Sequence, residues 1–325
     1  MKKVPKGLLT LLADGEFHSG EAVGQLLGVS RTAVWKQLQK LSALGLSVDS
    51  VRGKGYRLSG GLDLLSIDKI TAALSSSVQP LITAIDLQLT VESTNGEAMA
   101  KTLKGGASGQ ICLAEHQYAG RGRRGRRWHS PLGQNIYLSI VWEFTQGAST
   151  LEGLSLAVAV CIVRVLKDAG LDAIALKWPN DILVQKRKLG GILLEMQGDP
   201  AGHCQVVVGI GLNVNMSKAV QIDQPWTDLQ QHLGSMSRNQ LIAELLNELM
   251  PMLNQFTTTG FGQYHSEWQQ FDAYANRYVQ LQVGTNAIVG RVLGVTNKGA
   301  LRLLVDGVEQ CFYGGEISMR SLDDA

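Results

Sequence analysis

Apolar positions in the first sixty residues recur at the spacing of short helices. They predict three helices, over residues 7–12, 21–27 and 31–41. Ser30 precedes the third helix as its N-cap, because a serine hydroxyl accepts a hydrogen bond from a free amide of the first turn. The third helix has one apolar face, made by Val34, Leu38 and Leu41. Together with a turn at Gly28, this pattern predicts a helix-turn-helix.

A hairpin with a basic tip follows these helices. Its predicted strands cover residues 46–48 and 56–58, and Arg52 and Lys54 lie in the turn between them. A helix-turn-helix followed by such a hairpin resembles a winged helix. We expect the DNA-facing residues to be Ser30, Arg31, Thr32, Lys36, Arg52 and Lys54, and we expect the third helix also to expose Gln37 and Lys40. The alternative interpretation is a protein-docking module or a relic.

A linker is predicted at residues 60–66, and a larger region of mixed pattern follows it. Strands are predicted over residues 82–89, 110–114, 135–142, 173–177 and 206–213, and helices over residues 95–103, 151–169 and 239–257. Several strands lack a crossover helix, so we expect a mixed or antiparallel sheet with helices on one side. From residue 278, short strands and glycine turns predict a small β-barrel. The predicted class is α+β, with domains at residues 1–60, 67–272 and 273–325.

Composition and charge restrict the functional classes. The chain has 325 residues, of which 45% are hydrophobic and 18% are charged, as in a globular protein. Its net charge of +2 gives no global basic field, so contact with nucleic acid needs a local patch. The four cysteines and six histidines do not cluster, which indicates reduced thiols in a cytoplasmic protein and argues against structural zinc. We expect no secretion signal and no membrane partner, because the longest apolar stretch, residues 154–166, is short and contains Arg164.

An arginine-rich loop is the most informative segment. Residues 120–127 read Gly-Arg-Gly-Arg-Arg-Gly-Arg-Arg, and Trp128 follows. Arginine forks suit phosphate and carboxylate oxygens, and glycine lets the backbone approach a ligand, so the pattern favours a loop that closes over an anion. The glycines also spell G-x-G-x-x-G, but the helix and βαβ unit of a dinucleotide site are missing. A basic nucleic-acid patch or targeting tag and a solvated loop are further alternatives.

Four other segments combine polar residues with tight turns. They are Glu92-Ser93-Thr94-Asn95, Lys177-Trp178-Pro179-Asn180-Asp181, the run from Lys188 through Gly190-Gly191 to Glu195, and residues 206–215. Capping of a helix by Ser93 or Thr94 and a plain hairpin turn are the simpler interpretations of the first two. In the last segment, apolar residues alternate with Gly209, Gly211, Asn213 and Asn215. A strand with one apolar face and one small, amide-lined face suits the floor of a ligand site.

These motifs together resemble the bacterial family of bifunctional biotin–protein ligases and biotin operon repressors. The resemblance covers essentially the whole chain and extends to Gly314-Gly315-Glu316-Ile317-Ser318 near its end. It implies a winged helix, a central ligase domain like those of class II synthetases, and a C-terminal SH3-like barrel. It also implies that biotin and ATP, with Mg²⁺, form biotinyl-5′-AMP, from which the biotinyl group passes to a lysine of an acceptor.

The resemblance also assigns roles to residues. Lys188, Arg121 and Arg123 are the expected catalytic residues, since they neutralise the carboxylate and the α-phosphate. Biotin is expected to contact Ser93, Thr94, Asn95, Gln117, Arg121, Gly122, Arg123 and Lys188. ATP or the adenylate is expected to contact Lys177, Asn180, Asn213, Trp226 and Arg320.

The expected partners are the biotin carrier protein of acetyl-CoA carboxylase, operator DNA, and a second copy of the chain once the adenylate is bound. Two other functions remain open. A lipoate–protein ligase shares the chemistry, although the arginine loop argues against it. A repressor that senses biotin without catalysis is the other, and Lys188 argues against it.

Overall fold

The computed structural model describes residues 6–103, 108–145, 147, 151–199, 201–216, 222–314 and 317–322. The N-terminal elements are α1 (Lys6–Leu12), α2 (Gly20–Leu27), α3 (Arg31–Ala43), β1 (Val48–Val51) and β2 (Gly55–Leu58). Ser30 caps α3 as predicted, because its hydroxyl accepts from the Ala33 amide at 3.4 Å. The two strands pair in antiparallel fashion across the turn that holds Arg52 and Lys54. The predicted helix-turn-helix and hairpin are therefore confirmed.

The middle region contains a mixed sheet with helices around it. Its elements are α4 (Ile67–Ala72), β3 (Ala84–Gln88), α5 (Thr94–Thr102), β4 (Gln110–Ala114), β5 (Ile136–Phe144), α6 (Leu154–Asp168), β6 (Ile174–Lys177), β7 (Asp181–Val184), β8 (Arg187–Gly198), β9 (Cys204–Leu212), α7 (Gln230–Leu233), α8 (Arg238–Thr259) and α9 (Gly262–Gln270). Among the described residues these strands form one seven-stranded sheet, in the order β3-β4-β5-β9-β8-β7-β6. Strands β3 and β4 are parallel, and the other neighbours are antiparallel.

Helices cover both faces of this sheet, so the expectation of helices on one side is wrong. Alternate residues of β5, such as Leu138 and Ile140, face the large core that includes α6 and α8. Val141 occupies one of the intervening positions of β5. It joins a separate cluster with Ala98 of α5 on the opposite face. The sequence of α5 did not predict this placement, because among the described residues α5 contributes only Ala98 and Met99 to that cluster.

The linker to the N-terminal module is held by a buried polar network. Arg238 and Glu115 are 3% and 5% exposed and form an ion pair at 2.9 Å. The other Glu115 oxygen accepts from the Leu65 amide at 2.6 Å, and Asp63 accepts from the Arg238 amide at 2.8 Å. Leu132, from the segment after the arginine loop, packs into the core of the N-terminal module. The linker therefore makes polar contacts with the middle region, and the module makes apolar ones.

The C-terminal region is a five-stranded antiparallel sheet within the described residues. Its strands are β10 (Tyr278–Val283), β11 (Asn286–Val295), β12 (Leu301–Val305), β13 (Val308–Phe312) and β14 (Ile317–Ser321), in the order β13-β12-β11-β10-β14. The Trp178 indole donates to the Gly299 carbonyl at 3.1 Å and joins this sheet to the middle region. The predicted α+β class is confirmed. No helix in the described part of the chain is long and apolar enough to cross a membrane.

Candidate active site

A cavity of about 750 Å³ lies where the arginine loop and the C-terminal sheet meet strands β8 and β9. It brings together residues that are far apart in the chain. Of the predicted biotin and ATP residues, those on its wall are Ser93, Thr94, Asn95, Gln117, Arg121, Gly122, Arg123, Lys177, Asn180, Lys188 and Arg320. Residues Gly315 and Glu316 of the predicted C-terminal motif lie outside the described residues.

One part of the wall is a buried network of neutral polar side chains at the start of α5. The Gln117 carbonyl oxygen accepts from the Thr94 amide at 2.8 Å and from the Thr94 hydroxyl at 3.1 Å. The Ser139 hydroxyl lies 2.6 Å from Asn95 Oδ1 and 2.8 Å from Thr94 Oγ1, and its one hydrogen serves one acceptor at a time. Ser93 is at the N-cap of α5, as the capping interpretation expected, but its hydroxyl makes no capping hydrogen bond. The hydrogen bonds hold these groups in place before a ligand arrives.

The glycine face of β9 is filled by two of these surrounding side chains. A Cβ at Gly209 would lie 2.0 Å from Asn95 Oδ1, and a Cβ at Gly211 would lie 2.5 Å from Trp128 Cε2. Only glycine permits such close approach, and this gives a physical reason for the predicted floor of small residues in the ligand site. Trp128 was noted beside the loop but not as a site residue, and its indole nitrogen is buried without a hydrogen-bond partner.

Lys188 of β8 places an ammonium group on the cavity wall. Its Nζ lies 2.7 Å from Asp181 Oδ1 and 5.5 Å from the centroid of the Trp128 ring. The lysine and aspartate side chains are only 17% and 19% exposed. An anionic ligand would therefore meet a partly desolvated cation whose present counter-ion is Asp181.

The arginine loop spans from the middle region to the C-terminal sheet. Arg123 donates to Asn180 Oδ1 at 3.1 Å and to the Ile317 carbonyl at 3.3 Å, while Arg124 donates to the Ser318 hydroxyl at 2.9 Å. Within the loop, the Gly122 amide donates to the Arg126 carbonyl at 2.7 Å. Burial lowers the pKa of Arg123 from its ordinary value, because desolvation disfavours the charged form. The loop thus covers the cavity with guanidinium groups.

Arg121 points to a different carboxylate. Its Nη2 lies 3.5 Å from Glu195 Oε2, which also accepts from Asn95 Nδ2 at 2.8 Å. Arg121 is therefore tied to the neutral polar network, whereas Arg123 is tied to the turn that carries Asn180. The loop contacts two parts of the wall with two different arginines.

The turn between β6 and β7 is more than a capped hairpin. Asn180 Nδ2 donates to the Ile192 carbonyl at 2.8 Å, which directs its Oδ1 toward Arg123. Lys177 Nζ lies 5.7 Å from the ring centroid of Tyr274. The Trp178–Pro179 peptide bond is cis. The turn therefore presents Lys177 and Asn180 together to the cavity.

Asn213 and Trp226 do not reach the cavity wall. Asn213 is 4% exposed, and its amide donates to the Thr227 carbonyl at 3.0 Å. Trp226 lies in a strand-like segment whose backbone bonds that of Lys188, since the Lys188 amide donates to the Pro225 carbonyl at 2.9 Å. Ile222, Asp223 and Gln224 line the cavity from that segment instead. Asn213 and the segment of Trp226 thus contact the backbone around Lys188.

The basic surface of the N-terminal module is separate from this cavity. Thr32, Lys36, Arg52 and Lys54 are exposed, whereas the side chain of Arg31 lies outside the described part of the structure. Gln37 and Lys40 are half-buried and bonded to each other at 2.6 Å, so the expectation that they are exposed is wrong.

Comparison with known proteins decides the family. Models of the biotin/lipoate A/B protein ligase family, an HTH domain and the biotin protein ligase C-terminal domain match residues 90–213, 6–57 and 275–320. The chain is 41% identical over 322 residues to the bifunctional ligase/repressor BirA of Salmonella typhimurium, with 98% of each chain covered. The chain belongs to the family of bifunctional biotin–protein ligase/repressors. The BirA of Bacillus subtilis is 30% identical over 313 residues, which cover 94% of this chain and 95% of that protein.

A solved structure extends this relationship for the catalytic part of a ligase/repressor. The biotin protein ligase of Aquifex aeolicus, in complex with biotin and ATP, has a TM-score of 0.63 and 26% identity. It matches 74% of this chain and all of that chain. About three quarters of this chain is therefore similar in fold to a ligase whose structure contains biotin and ATP.

Proposed function

We propose that this protein joins biotin to ATP and transfers the biotinyl group to a lysine of a carrier protein. The observation that carries the proposal is the convergence of three kinds of group on one cavity. These are the neutral network of Thr94, Asn95 and Gln117, the ammonium of Lys188, and the guanidinium groups of the arginine loop. Neutral donors and acceptors suit the ureido ring, and the cations suit the carboxylate and phosphates.

In the first step, a biotin carboxylate oxygen attacks the α-phosphorus of ATP. A carbon–oxygen–phosphorus linkage forms, the bond from the α-phosphorus to the bridging oxygen breaks, and pyrophosphate leaves. Lys188 and Arg123 oppose the repulsion between the two anions and stabilise the charge that develops between them. The loop excludes water from the mixed anhydride. In the second step the carrier lysine amine attacks the carbonyl carbon, and AMP leaves.

We infer that Mg²⁺ accompanies ATP and is held mainly by the phosphates. No three His, Cys, Asp or Glu side chains converge as a metal site within the described residues. Asp181 is the carboxylate nearest Lys188, and it is engaged by that lysine at 2.7 Å. Mg²⁺ commonly binds through one or two carboxylates and substrate phosphates, where it offsets their charge. Asp181 is the residue that would complete such a coordination shell.

For the nucleotide, we propose that Lys177, Asn180 and Arg320 contact the adenylate directly. Asn213 and the Trp226 segment then serve as positioning residues, because their hydrogen bonds fix the backbone on either side of Lys188.

The test of catalysis is pyrophosphate release with biotin and, separately, with lipoate. We expect pyrophosphate release with biotin and not with lipoate. Lys188→Ala should abolish the release with biotin. Release driven by lipoate and not by biotin would reverse the assignment in favour of a lipoate–protein ligase. Absence of release with either acid, together with intact biotin binding, would favour the biotin-sensing repressor.

We propose further that the adenylate-bound protein dimerises and represses transcription from an operator with two-fold symmetry. The HTH match and the exposed cations of the N-terminal module support this proposal. A gel-shift titration with regulatory DNA should give tighter binding when biotin and ATP are present. The same affinity with and without them would contradict the proposal.

A further inference from the structure

Helix α3 exposes a large apolar side chain in the middle of its polar stripe. Val34, Leu38 and Leu41 are at most 4% exposed and face the core of the module. The opposite stripe, at helical spacing, consists of Thr32, Trp35, Lys36 and Gln39. Trp35 is 55% exposed. The indole is therefore the large apolar group that α3 presents to a molecule bound on this stripe.

The charge around Trp35 fits duplex DNA as the bound molecule. Lys36 lies next to Trp35 on the exposed stripe, and Arg52 and Lys54 are exposed at the hairpin tip. A groove of about 1020 Å³ separates that tip from α2 and from the turn that leads into α3. In a helix-turn-helix, the N-terminal residues of the second helix lie in the major groove. Trp35 is in the second turn of α3 and therefore on the part that reaches base edges.

We propose that Trp35 reads thymine at one position of each operator half-site. The inference rests on the proposed repressor function. Thymine alone presents a methyl group in the major groove, and an apolar side chain distinguishes it from the other bases by contact with that methyl. Lys36 and the hairpin cations contact phosphates and fix the register, whereas Trp35 supplies sequence preference.

The test is selection from a pool of random duplexes by the full-length protein in the presence of biotin and ATP. Wild-type protein should enrich an inverted repeat with a fixed thymine in each half. Trp35→Ala should lose the preference at that thymine and bind the wild-type sequence about 5- to 150-fold more weakly. Trp35→Phe should fall between them. Leu26→Ala is the matched control, because Leu26 is 52% exposed but lies on α2, on the side of α1.

A second measurement isolates the methyl group. Deoxyuridine in place of the selected thymine removes only that methyl, so wild-type affinity should fall about four-fold. Trp35→Ala should bind the two duplexes equally. Carrier labelling and a thermal melt report whether Trp35→Ala remains folded.

Three outcomes would overturn the inference. In the first, Trp35→Ala selects the wild-type motif with wild-type affinity. In the second, it loses affinity for all duplexes alike. In the third, it responds to deoxyuridine as the wild-type protein does. If the wild-type protein enriches no sequence at all, the repressor function fails and the inference with it. The first three results instead leave the repressor function standing.

Discussion

Replacement of Gly211 with alanine should weaken biotin binding by displacing Trp128. The added Cβ would lie 2.5 Å from Trp128 Cε2 and 2.7 Å from its Cζ2 and Nε1 atoms. Since ordinary carbon contacts begin at about 3.4 Å, the indole must retreat by roughly 1 Å. Overpacking of this kind costs about 1–3 kcal/mol. If biotin binding requires the indole in its wild-type place, binding must restore this strain, and the Kd for biotin should be about 5- to 150-fold higher.

Isothermal titration calorimetry with biotin measures this change directly. Gly96→Ala is the matched control, because its added methyl would lie 3.7 Å from Arg121 Nη2 and 3.8 Å from Ser93 Cβ. Gly96 is also within α5, where alanine is preferred to glycine, so the control should bind biotin normally and melt at the same or a higher temperature. Wild-type biotin affinity in Gly211→Ala would refute the inference that Trp128, on the cavity wall, helps to hold biotin.

Three further predictions follow from other contacts. Arg123→Lys should slow pyrophosphate release by about ten- to a thousand-fold, because one ammonium cannot replace a fork that contacts Asn180 and Ile317; a rate within two-fold of wild type would contradict this. Glu115→Ala should lower the free energy of unfolding by about 3–5 kcal/mol in urea titration, because it leaves Arg238 buried without its counter-ion, whereas Asp49→Ala, at the exposed Asp49–Arg57 pair, should hardly change it. Burial raises the pKa of Asp272 from 3.8 to about 6. Between these two pH values the folded state holds a proton that the unfolded chain releases, so the free energy of unfolding falls as the pH rises from 3.8 to about 6. Asp272→Asn should therefore raise the melting temperature more at pH 7 than at pH 4, and an equal shift at both values would show that the carboxyl proton is not involved.

Elements with a regular spacing of apolar residues were predicted from the sequence. Helix α8 has leucines at four-residue spacing, and Leu241, Leu245, Leu249 and Leu253 are all fully buried. Helix α9 was not predicted, because polar residues dominate it and only Tyr264 and Trp268 are buried. Its position depends on tertiary contacts, such as the pairing of Arg164 of α6 with Glu248 of α8 and Glu267 of α9. Sequence spacing carries no signal for such tertiary contacts.

Most of the predicted biotin and ATP residues lie on the cavity wall, including Gln117 and Arg320, which stand outside the short polar motifs. The two that do not, Asn213 and Trp226, belong to the same neighbourhood. The Asn213 side chain donates to the Thr227 carbonyl, and the backbone of Trp226 pairs with that of Lys188. Ser139 was missed, although a lone serine inside the apolar strand β5 was a visible signal. Trp128 was missed as a wall residue because its contact with Gly211 joins two segments more than eighty residues apart. Side-chain direction in a loop depends on what packs against it, and the sequence does not specify that.

Transfer of biotin to a carrier tests the central claim most directly. The full-length protein is incubated with ATP, Mg²⁺, biotin and a biotin carrier domain, and the carrier is then analysed by intact mass spectrometry. We predict the addition of one biotinyl group to the carrier, no addition when ATP is omitted, and none with Lys188→Ala. An unchanged carrier mass with the folded wild-type protein, or equal labelling by Lys188→Ala, would contradict the account.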